Sequence, residues 1–342
     1  MGAFTLGGKP DPFPEVLARA RITGRGAVLL GENLTVDGHE DRVVRVVTHA
    51  HADHLLGLRE SCERCGRVLM TPATSELVES IYGLRPDPGK LELLDCGKGV
   101  RFGEERVTFF EAGHILGSVQ VLVETGEGRR VLYTGDFRLP KAPIVKSDLL
   151  VMEATYGNPS CRRPFRDRVE EELVKLVRKG LRDGPVHIFG YHGKLQEVAE
   201  ILRRGGIGEP ILMSRKVYEV ARICQKYGME LGDFILAESE EGREVARGSH
   251  VRLHHARAAG RFGGRGIRIY LSGWEFEVPV REIGRDEYEV ALSDHSDFEQ
   301  LMEYVEVSDP ECVITDDFRV GDAKALAREI RRRLGKPAWP MP

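Results

Sequence analysis

Three histidines and one aspartate lie close together in the segment Thr48-His49-Ala50-His51-Ala52-Asp53-His54. Imidazole nitrogens and carboxylate oxygens are common ligands of zinc and similar divalent ions. The alternate residues His49 and His51 can bind one ion, while Asp53 and His54 face a second. The chain has only 11 histidines, and such a density in one turn rarely arises without a metal. The segment therefore predicts a metal site.

Two further residues of ligand type follow predicted strands. His114 lies in Gly113-His114-Ile115-Leu116-Gly117, and Asp136 lies in Tyr133-Thr134-Gly135-Asp136-Phe137-Arg138. Each follows a glycine, which allows the backbone to approach a site closely. Taken singly, both residues are explained by turn chemistry. Together with the first segment, they extend the predicted metal site.

The elements that must position these residues are predicted from hydrophobic periodicity. Up to about residue 155, β-branched segments alternate with polar turns and predict strands at 27–30, 43–47, 107–110, 119–123, 131–134 and 149–152. A helix is predicted at 74–81, after the break at Pro72. Each proposed ligand therefore lies near the end of a predicted strand.

The pattern changes after about residue 164. Amphipathic helices are predicted at 165–181, 194–204 and 215–227, with strands at 186–189, 210–213 and 267–271. This alternation indicates an α/β unit with parallel strands. The C-terminal part predicts a strand at 290–292, a helix from Asp297, a strand at 312–315, a helix at 322–334 and a loose proline-rich tail.

Length and composition indicate a globular protein of two domains, or one domain with a large insertion, because 342 residues exceed a typical single core. Hydrophobic residues at 41% and charged residues at 30% exclude a disordered chain. The formal net charge of −4, if it is spread over the whole chain, argues against a nucleic-acid partner. Yet residues 245–274, here called the basic strip, carry +6 and leave −10 elsewhere.

The basic strip contains six arginines, no acidic residue and the glycines Gly260, Gly263, Gly264 and Gly266 among the arginines. Arg257 and Arg261 are predicted to contact phosphates, and Phe262 to stack on a base. The alternative is a solvated loop. Lys194, at a predicted helix start after Gly193, and Ser296 are further candidate phosphate contacts, because helix N-termini offer unpaired N–H groups.

Two features bear on the cellular setting. The sequence has no apolar segment long enough to span a membrane and no basic, then apolar, signal peptide. We therefore expect a cytoplasmic protein without a membrane partner. Cys62 and Cys65 form a single C-x-x-C pair. They predict either a small zinc site or, as the more ordinary alternative, reduced or locally bridged thiols.

The order H-x-H-x-D-H, G-H and T-G-D resembles the metallo-β-lactamase fold, a four-layer αββα sandwich with its metal site at one edge of the two sheets. Four further segments resemble the nucleases of this superfamily that carry a β-CASP insertion. They are Leu150–Gly157 with an acidic motif, Tyr191-His192-Gly193-Lys194, Ser272-Gly273-Trp274, and Leu292–Phe298 with a motif-B histidine. The set is similar to the Artemis-type DNA crosslink-repair and end-processing nucleases and to the ligase-associated DNA exonucleases.

The resemblance implies two divalent metal ions, with zinc as the expected metal. His49, His51 and His114 would hold the first ion, Asp53 and His54 the second, and Asp136 would bridge them. Two such ions lower the pKa of a bound water to about 7 and make it a nucleophile toward phosphorus. Manganese or magnesium is the alternative at the second position.

The resemblance also assigns roles beside the metals. His295 would approach the departing oxygen as a general acid or a stabiliser of charge, and Glu153 would orient its imidazole. Taken alone, Ser293-Asp294-His295-Ser296 also fits the capped start of a helix.

One departure concerns the second metal. RNA-processing members carry a further histidine, motif C, after the penultimate strand, whereas this chain continues Cys312-Val313-Ile314-Thr315 into Asp316-Asp317. Asp316 either replaces that histidine as an oxygen ligand or is a turn or N-cap aspartate. The second metal is therefore expected to bind more weakly than the first.

The resemblance implies an α/β fold with a metallo-β-lactamase domain at 1–154 and 289–342 and a smaller inserted β-CASP-like domain at 155–288. The implied activity is zinc-dependent hydrolysis of DNA, by 5′-to-3′ exonucleolytic end processing in repair. An RNA-processing nuclease of the 3′-end-processing type is the alternative within this chemistry. A catalytically weak nucleic-acid-binding protein is the alternative from another class, and protein partners remain unassigned.

Overall fold

A computed structural model describes Val16 and residues 18–342 of the chain. Contacts between Cα atoms divide it into two compact units. The first comprises the described residues up to Ser75, together with Leu84–Pro159 and His295–Pro342. The second comprises Glu76–Gly83 and Ser160–Asp294.

The first unit begins with a six-stranded sheet, in which the strands follow one another in chain order. The strands are β1 (Ala20–Ile22), β2 (Val28–Leu30), β3 (Leu34–Val36), β4 (Val44–Val46), β5 (Arg67–Met70) and β6 (Leu91–Leu93). From β3 to β6 neighbouring strands are parallel. A 3-10 helix at Ala52–His54 and helices α1 (Leu58–Arg64) and α2 (Pro72–Tyr82) connect them.

The second sheet begins with strands that are mostly antiparallel. They are β7 (Gly99–Phe102), β8 (Glu105–Glu111), β9 (Val119–Glu124), β10 (Arg130–Tyr133) and β11 (Leu149–Met152). Only β10 and β11 run parallel among these five. His114 lies in the segment after β8, and Asp136 lies in the segment after β10. Ligand-type residues therefore follow two strands of this sheet.

The second unit contains a seven-stranded sheet, in the order β14-β13-β15-β12-β16-β18-β17. Its strands are β12 (Val186–Gly190), β13 (Ile211–Met213), β14 (Ile235–Leu236), β15 (Val251–His255), β16 (Ile267–Leu271), β17 (Val280–Gly284) and β18 (Glu287–Val290). Its helices are α3 (Val169–Asp183), α4 (Lys194–Arg204), α5 (Arg215–Lys226) and α6 (Glu240–Val245). All neighbouring strands except β17 and β18 pair in parallel.

The C-terminal elements complete the first unit. Helix α7 (Phe298–Ser308), β19 (Cys312–Asp316), helix α8 (Ala323–Leu334) and β20 (Ala338–Met341) follow one another, and both strands extend the second sheet beside β11. Apolar residues from the two sheets form one core, and the opposite face of the second sheet packs against α7 and α8. Helix α1 lies against β5. These layers confirm the predicted αββα sandwich.

Several sequence-based element predictions are wrong. The strand predicted at 290–292 instead ends at Val290, where it pairs with β16. The tail predicted to be loose forms β20, paired in parallel with β19. Pro340 is tolerated there because β20 is an edge strand. Within the basic strip, β15 was not predicted at all. Among the described residues, no helix combines the length and the apolar character that crossing a membrane requires.

Candidate metal centre and active site

The proposed ligands of the first metal come together in the structure. His49, His51, His114 and Asp136 offer ligand atoms that all lie within 4.8 Å of one another. Nε2 of His114 lies 3.0 Å from Nδ1 of His51, and Nε2 of His49 lies 3.2 Å from the same atom. This convergence brings the ends of three different strands to one point, although the residues span 49 to 136 in sequence.

Asp136 is central to the cluster. Its Oδ2 lies 3.6 Å from Nε2 of His49, 3.7 Å from Nε2 of His114 and 3.3 Å from Nε2 of His54. Asp53 lies at the margin, with its side chain 59% exposed and its Oδ2 3.5 Å from Nε2 of His54. One carboxylate thus lies within reach of His49 and His114, proposed for the first ion, and of His54, proposed for the second. Such a carboxylate is suited to bridge two cations.

The residues fit a divalent metal. Nε2 of His54 is buried and makes no hydrogen bond among the described residues, although carboxylate oxygens lie nearby. Buried polar atoms are otherwise almost always satisfied. A set of imidazoles and carboxylates turned toward one point is the donor set that zinc and similar ions prefer.

Electrostatics follow from burial among these groups. Burial, together with the neighbouring charges of His54 and His114, lowers the pKa of His49 well below its ordinary value. Burial would raise the pKa of Asp136, but the surrounding imidazoles, His54 first, lower it well below the usual range. These directions favour a neutral His49 and an ionised Asp136, the forms that bind a metal.

Asp37 holds His54 and was not predicted from the sequence. Its Oδ2 accepts a hydrogen bond from Nδ1 of His54 at 2.7 Å, and its two oxygens also accept from the backbone N–H and hydroxyl of Thr48. Asp37 is fully buried and has a left-handed backbone with φ of 58°. A carboxylate on the far nitrogen fixes the tautomer of a ligating histidine. The local signal was the Asp37-Gly38 turn directly after a strand.

Two buried arginines hold the loop that carries Asp53 and His54. Arg45, in the middle of β4, donates to the carbonyls of His54 at 3.0 Å and Leu56 at 3.1 Å. Arg319 reaches the carbonyl of Asp53 at 3.4 Å. Burial lowers the pKa of Arg45 to about 10, so the guanidinium stays charged at neutral pH. The loop is thus fixed through its backbone, which leaves its side chains to face the cluster.

The structure favours the turn role of Asp316 over the ligand role. Oδ1 accepts from the backbone N–H groups of Phe318 at 2.9 Å and Arg319 at 3.2 Å, and Oδ2 accepts from the Arg319 guanidinium at 2.7 Å. Both oxygens are therefore engaged within its own loop, and Asp316 is not part of the histidine cluster. Arg319 connects this loop to Asp53 instead.

His295 and Glu153 form the predicted pair. Nδ1 of His295 lies 2.9 Å from Oε2 of Glu153, and its Nε2 lies 4.0 Å from Oδ2 of Asp136. The other oxygen of Glu153 accepts from the backbone N–H of Phe137 at 2.7 Å. Burial raises the pKa of Glu153, opposed by the attraction of His295. The imidazole is thereby fixed with its Nε2 toward the cluster.

Two predicted phosphate contacts, Ser296 and Lys194, differ in their surroundings. Ser296 is fully buried, and its hydroxyl accepts a hydrogen bond from the backbone N–H of Leu139 at 2.9 Å. The structure therefore does not support a substrate contact for Ser296. In the second unit, Lys194 begins α4 with its side chain 13% exposed, and its Nζ lies 3.2 Å from Oδ1 of Asp294.

The basic strip is not one continuous loop. It comprises β15, a 3-10 helix at Ala256–Arg261, a connecting loop and β16. Arg247 pairs with Glu244 and Arg268 with Glu287, whereas Arg257 and Arg261 are exposed and have no ion pair among the described residues. The base-stacking role predicted for Phe262 is not supported, because its ring packs on His187 and Phe189.

Cys62 and Cys65 are both free thiols. They do not belong to any group of potential metal ligands found among the described residues. Burial raises the pKa of both thiols. The structure therefore favours reduced thiols over a small zinc site.

Comparison with known proteins gives relatives that act on nucleic acids. A probable DNA ligase of Opitutus terrae is 27% identical over 318 residues, which cover 89% of this chain and 29% of that protein. The DNA cross-link repair protein SNM1 of Arabidopsis thaliana is 25% identical over 78% of this chain and 59% of that protein. The endoribonuclease YSH1 of Yarrowia lipolytica is 27% identical over 54% of this chain and 26% of that protein.

The chain thus spans less than two thirds of each of these three relatives. A crystal structure of a protein of unknown function from Enterococcus faecalis V583 has a TM-score of 0.59 at 14% identity, covering 84% of this chain and 78% of that one. At that identity the likeness shows the fold alone.

A family model described as a β-lactamase superfamily domain matches residues 11–189, about half of the chain. It includes the histidine segment, His114, Asp136 and Glu153. The resemblance to metallo-β-lactamase-fold nucleases that the motifs predicted is confirmed by these relatives. The chain therefore belongs to the β-lactamase superfamily, as one of its nuclease-like members with a second α/β unit inserted before His295.

Proposed function

We propose that the protein is a zinc-dependent deoxyribonuclease that trims DNA from 5′ ends during repair and leaves 5′-phosphate and 3′-hydroxyl products. The observation that carries the proposal is the position of the Asp136 carboxylate. Its Oδ2 lies beside Nε2 of His49 and His114 and beside Nε2 of His54, and 4.0 Å from Nε2 of His295. The similarity to a probable DNA ligase over 89% of the chain supports DNA as substrate.

In this proposal each side chain has a distinct task. His49, His51 and His114 would hold one metal ion, Asp53 and His54 would hold a second and weaker one, and Asp136 would serve both. The bound ions would supply a strong nucleophile from water at neutral pH and offset charge on the phosphate.

His295 and Glu153 act on the leaving group. Since Glu153 accepts the Nδ1 hydrogen of His295 at 2.9 Å, a protonated imidazole would present its second hydrogen at Nε2. That hydrogen is available to an oxygen that departs beside Asp136. The same hydrogen bond prevents the ring from turning its Nε2 away.

We further propose that the second unit is the β-CASP-like insertion and supplies nucleic-acid contacts through Arg257 and Arg261. Both side chains are exposed and without an ion pair among the residues described. RNA is the second candidate substrate, supported by the similarity to an endoribonuclease over 54% of the chain.

The proposal is tested by digestion of matched single- and double-stranded DNA and RNA, each with and without a 5′-phosphate and labelled at either end. We expect DNA to be shortened progressively from its 5′ end. Preferential internal cleavage of RNA would overturn the DNA assignment and favour the second candidate. Tight binding of both polymers without any cleavage would instead indicate a catalytically weak binding protein.

A further inference from the structure

We infer that the carboxyl edge of the sheet in the second unit is a base-stacking platform for an unpaired DNA strand, formed by Tyr191 and Trp274 beside Arg257 and Arg261. The inference deepens the proposed function and rests on it, because it specifies the form of nucleic acid that the second unit binds. We call these four residues the stacking platform.

The strand order brings the platform together. In the sheet of the second unit, β12 lies between β15 and β16 and runs parallel to both. Gly190 is in register with His255, and Phe189 with Tyr270. Carboxyl ends of neighbouring parallel strands meet at one edge, about 5 Å apart. Tyr191 directly follows β12, and Trp274 follows β16 after two residues.

Both aromatic side chains are exposed at that edge, Tyr191 to 57% and Trp274 to 55%. Single exposed apolar residues are ordinary on protein surfaces. Two large exposed rings after adjacent strands are less ordinary, the more so beside arginines that have no acidic partner in the described part of the chain. Aromatic rings bind successive bases of a single strand while cations bind its phosphates.

Trp274 lies in a turn whose backbone is fixed by neighbouring side chains. Arg163, which is buried, donates to the carbonyls of Gly273 and Glu275, and its guanidinium lies 4.4 Å from the centre of the Phe276 ring. The carboxylate of Glu275 accepts from the backbone N–H groups of the two residues after Phe276. Because the turn is fixed on both sides of Trp274, the backbone that carries the ring loses little conformational entropy when a ligand binds.

Tyr191 is coupled to the arginines through His255. The two rings pack edge to face with centroids 5.4 Å apart. Nδ1 of His255 accepts from the backbone N–H of Arg257 at 3.3 Å, at the start of the 3-10 helix that ends at Arg261. A stacked base on Tyr191 and a phosphate on Arg257 would therefore belong to the same stretch of strand.

Paired DNA fits this surface poorly, because its bases are stacked inside the duplex and cannot reach a flat aromatic ring. The platform therefore predicts preference for an unpaired end. Phe262 was expected to stack on a base, but its packing against His187 leaves that task to the exposed rings.

The test uses the two tryptophans of the chain, Trp274 and Trp339. In the variant Trp339→Phe, Trp274 is the only fluorescent tryptophan. This variant is titrated, with chelator present to prevent cleavage, against a single-stranded oligodeoxynucleotide and an abasic oligomer of equal length and charge. We expect saturable quenching by the first and none by the second. If Trp339→Phe does not fold, the difference between the unaltered protein and Trp274→Phe gives the same signal.

Affinity provides the second readout. Tyr191→Ala and Trp274→Ala are each expected to weaken binding of the base-containing oligomer at least about fivefold, while affinity for the abasic oligomer stays within roughly twofold. Tyr191→Phe and Trp274→Phe should retain most of the affinity. Ile283→Ala, at another exposed apolar site of the same unit, is the matched control and should change nothing.

The outcomes separate this inference from the proposed function. Absence of quenching, or equal weakening for both oligomers, would overturn the stacking platform even if the protein cleaves DNA. Quenching and base-dependent affinity in a protein that cleaves no nucleic acid would retain the platform and overturn the proposed nuclease.

Discussion

Asp37 accepts a hydrogen bond from Nδ1 of His54 at 2.7 Å. A residue outside the histidine segment thus fixes the orientation of a proposed ligand inside it. Asp37 lies 17 positions before His54, on the other side of β4. Thr48, at the start of the segment, bonds to the same carboxylate through its backbone and its hydroxyl. One buried carboxylate thereby positions both ends of the segment.

We predict that Asp37→Asn lowers metal affinity about 10- to 100-fold, because an amide nitrogen opposite Nδ1 disturbs the tautomer of His54. Competition with a chelator of known affinity measures the effect. Asp41→Asn, an exposed aspartate that pairs with Arg64, is the control. Unchanged metal affinity in Asp37→Asn would contradict the orienting role.

The roles of Asp136 and His295 should separate on mutation. Asp136→Ala is expected to abolish phosphodiester cleavage and to reduce metal content, since its oxygen lies near both groups of imidazoles. His295→Ala should retain the metal while slowing turnover, by about 100-fold or more. Metal analysis and cleavage rates are measured on the same samples. Equal loss of metal in the two variants would contradict this division.

The buried pair of Asp316 and Arg319 should contribute stability rather than a metal ligand. Their side chains are 2% and 7% exposed. Arg319→Met leaves a buried carboxylate unpaired, at a cost of about 3–5 kcal/mol in the free energy of unfolding. Asp316→Asn should lower stability but leave the metal stoichiometry unchanged.

Urea denaturation and metal analysis test the two statements separately. In the double variant Asp316→Asn with Arg319→Gln, neither residue leaves an unpaired charge, so part of the lost stability should return. Loss of one equivalent of metal in Asp316→Asn, without loss of stability, would restore Asp316 as a ligand.

Acid should loosen the second unit before it unfolds the whole chain. Burial lowers the pKa of His187 to about 4 and that of His254 to about 3, and the nearby His250, Arg252 and Arg268 act in the same direction. Both rings are thus neutral in the folded protein, whereas the unfolded chain binds protons near pH 6.5. Their contribution is complete above pH 6.5 and is lost as the pH falls toward 4.

Hydrogen exchange of β12 and β15 amides between pH 7 and 4, corrected for intrinsic rates and recorded with chelator, measures this loss. We expect the protection of these amides to decrease in the unaltered protein as the pH falls from 7 to 4. In His254→Gln the decrease should be smaller. Equal pH dependence in both proteins would contradict the role of the buried histidines.

The exposed arginines should govern affinity but not chemistry. Arg257→Glu and Arg261→Glu together are expected to weaken DNA binding and to reduce the salt dependence by about one unit of slope per lost phosphate contact. Hydrolysis of bis-p-nitrophenyl phosphate should be unaffected. Arg285→Glu, 98% exposed in the same unit, supplies the control for charge.

The sequence predicted most of the histidine and aspartate cluster because these residues fall in short motifs at strand ends. Asp37, Arg45 and Arg319 could not be predicted in the same way, since each acts through a contact distant in sequence. The positive charge that the basic strip can offer to a ligand is smaller than its formal +6. Arg247 and Arg268 form ion pairs with acidic residues outside the strip. Ser296 shows the reverse case, because it lies beside His295, the proposed general acid, but its hydroxyl accepts a hydrogen bond from the backbone N–H of Leu139.

In the proposed function, the histidine and aspartate cluster binds divalent metal and thereby enables phosphodiester hydrolysis. The most direct measurement is a titration of the metal-stripped protein with zinc, recording bound metal and bis-p-nitrophenyl phosphate hydrolysis together. We predict one tightly and one more weakly bound equivalent, with hydrolysis that rises as they bind and is lost in Asp136→Ala. Hydrolysis that is independent of metal, or no metal bound at the cluster, would contradict the catalytic role of the cluster.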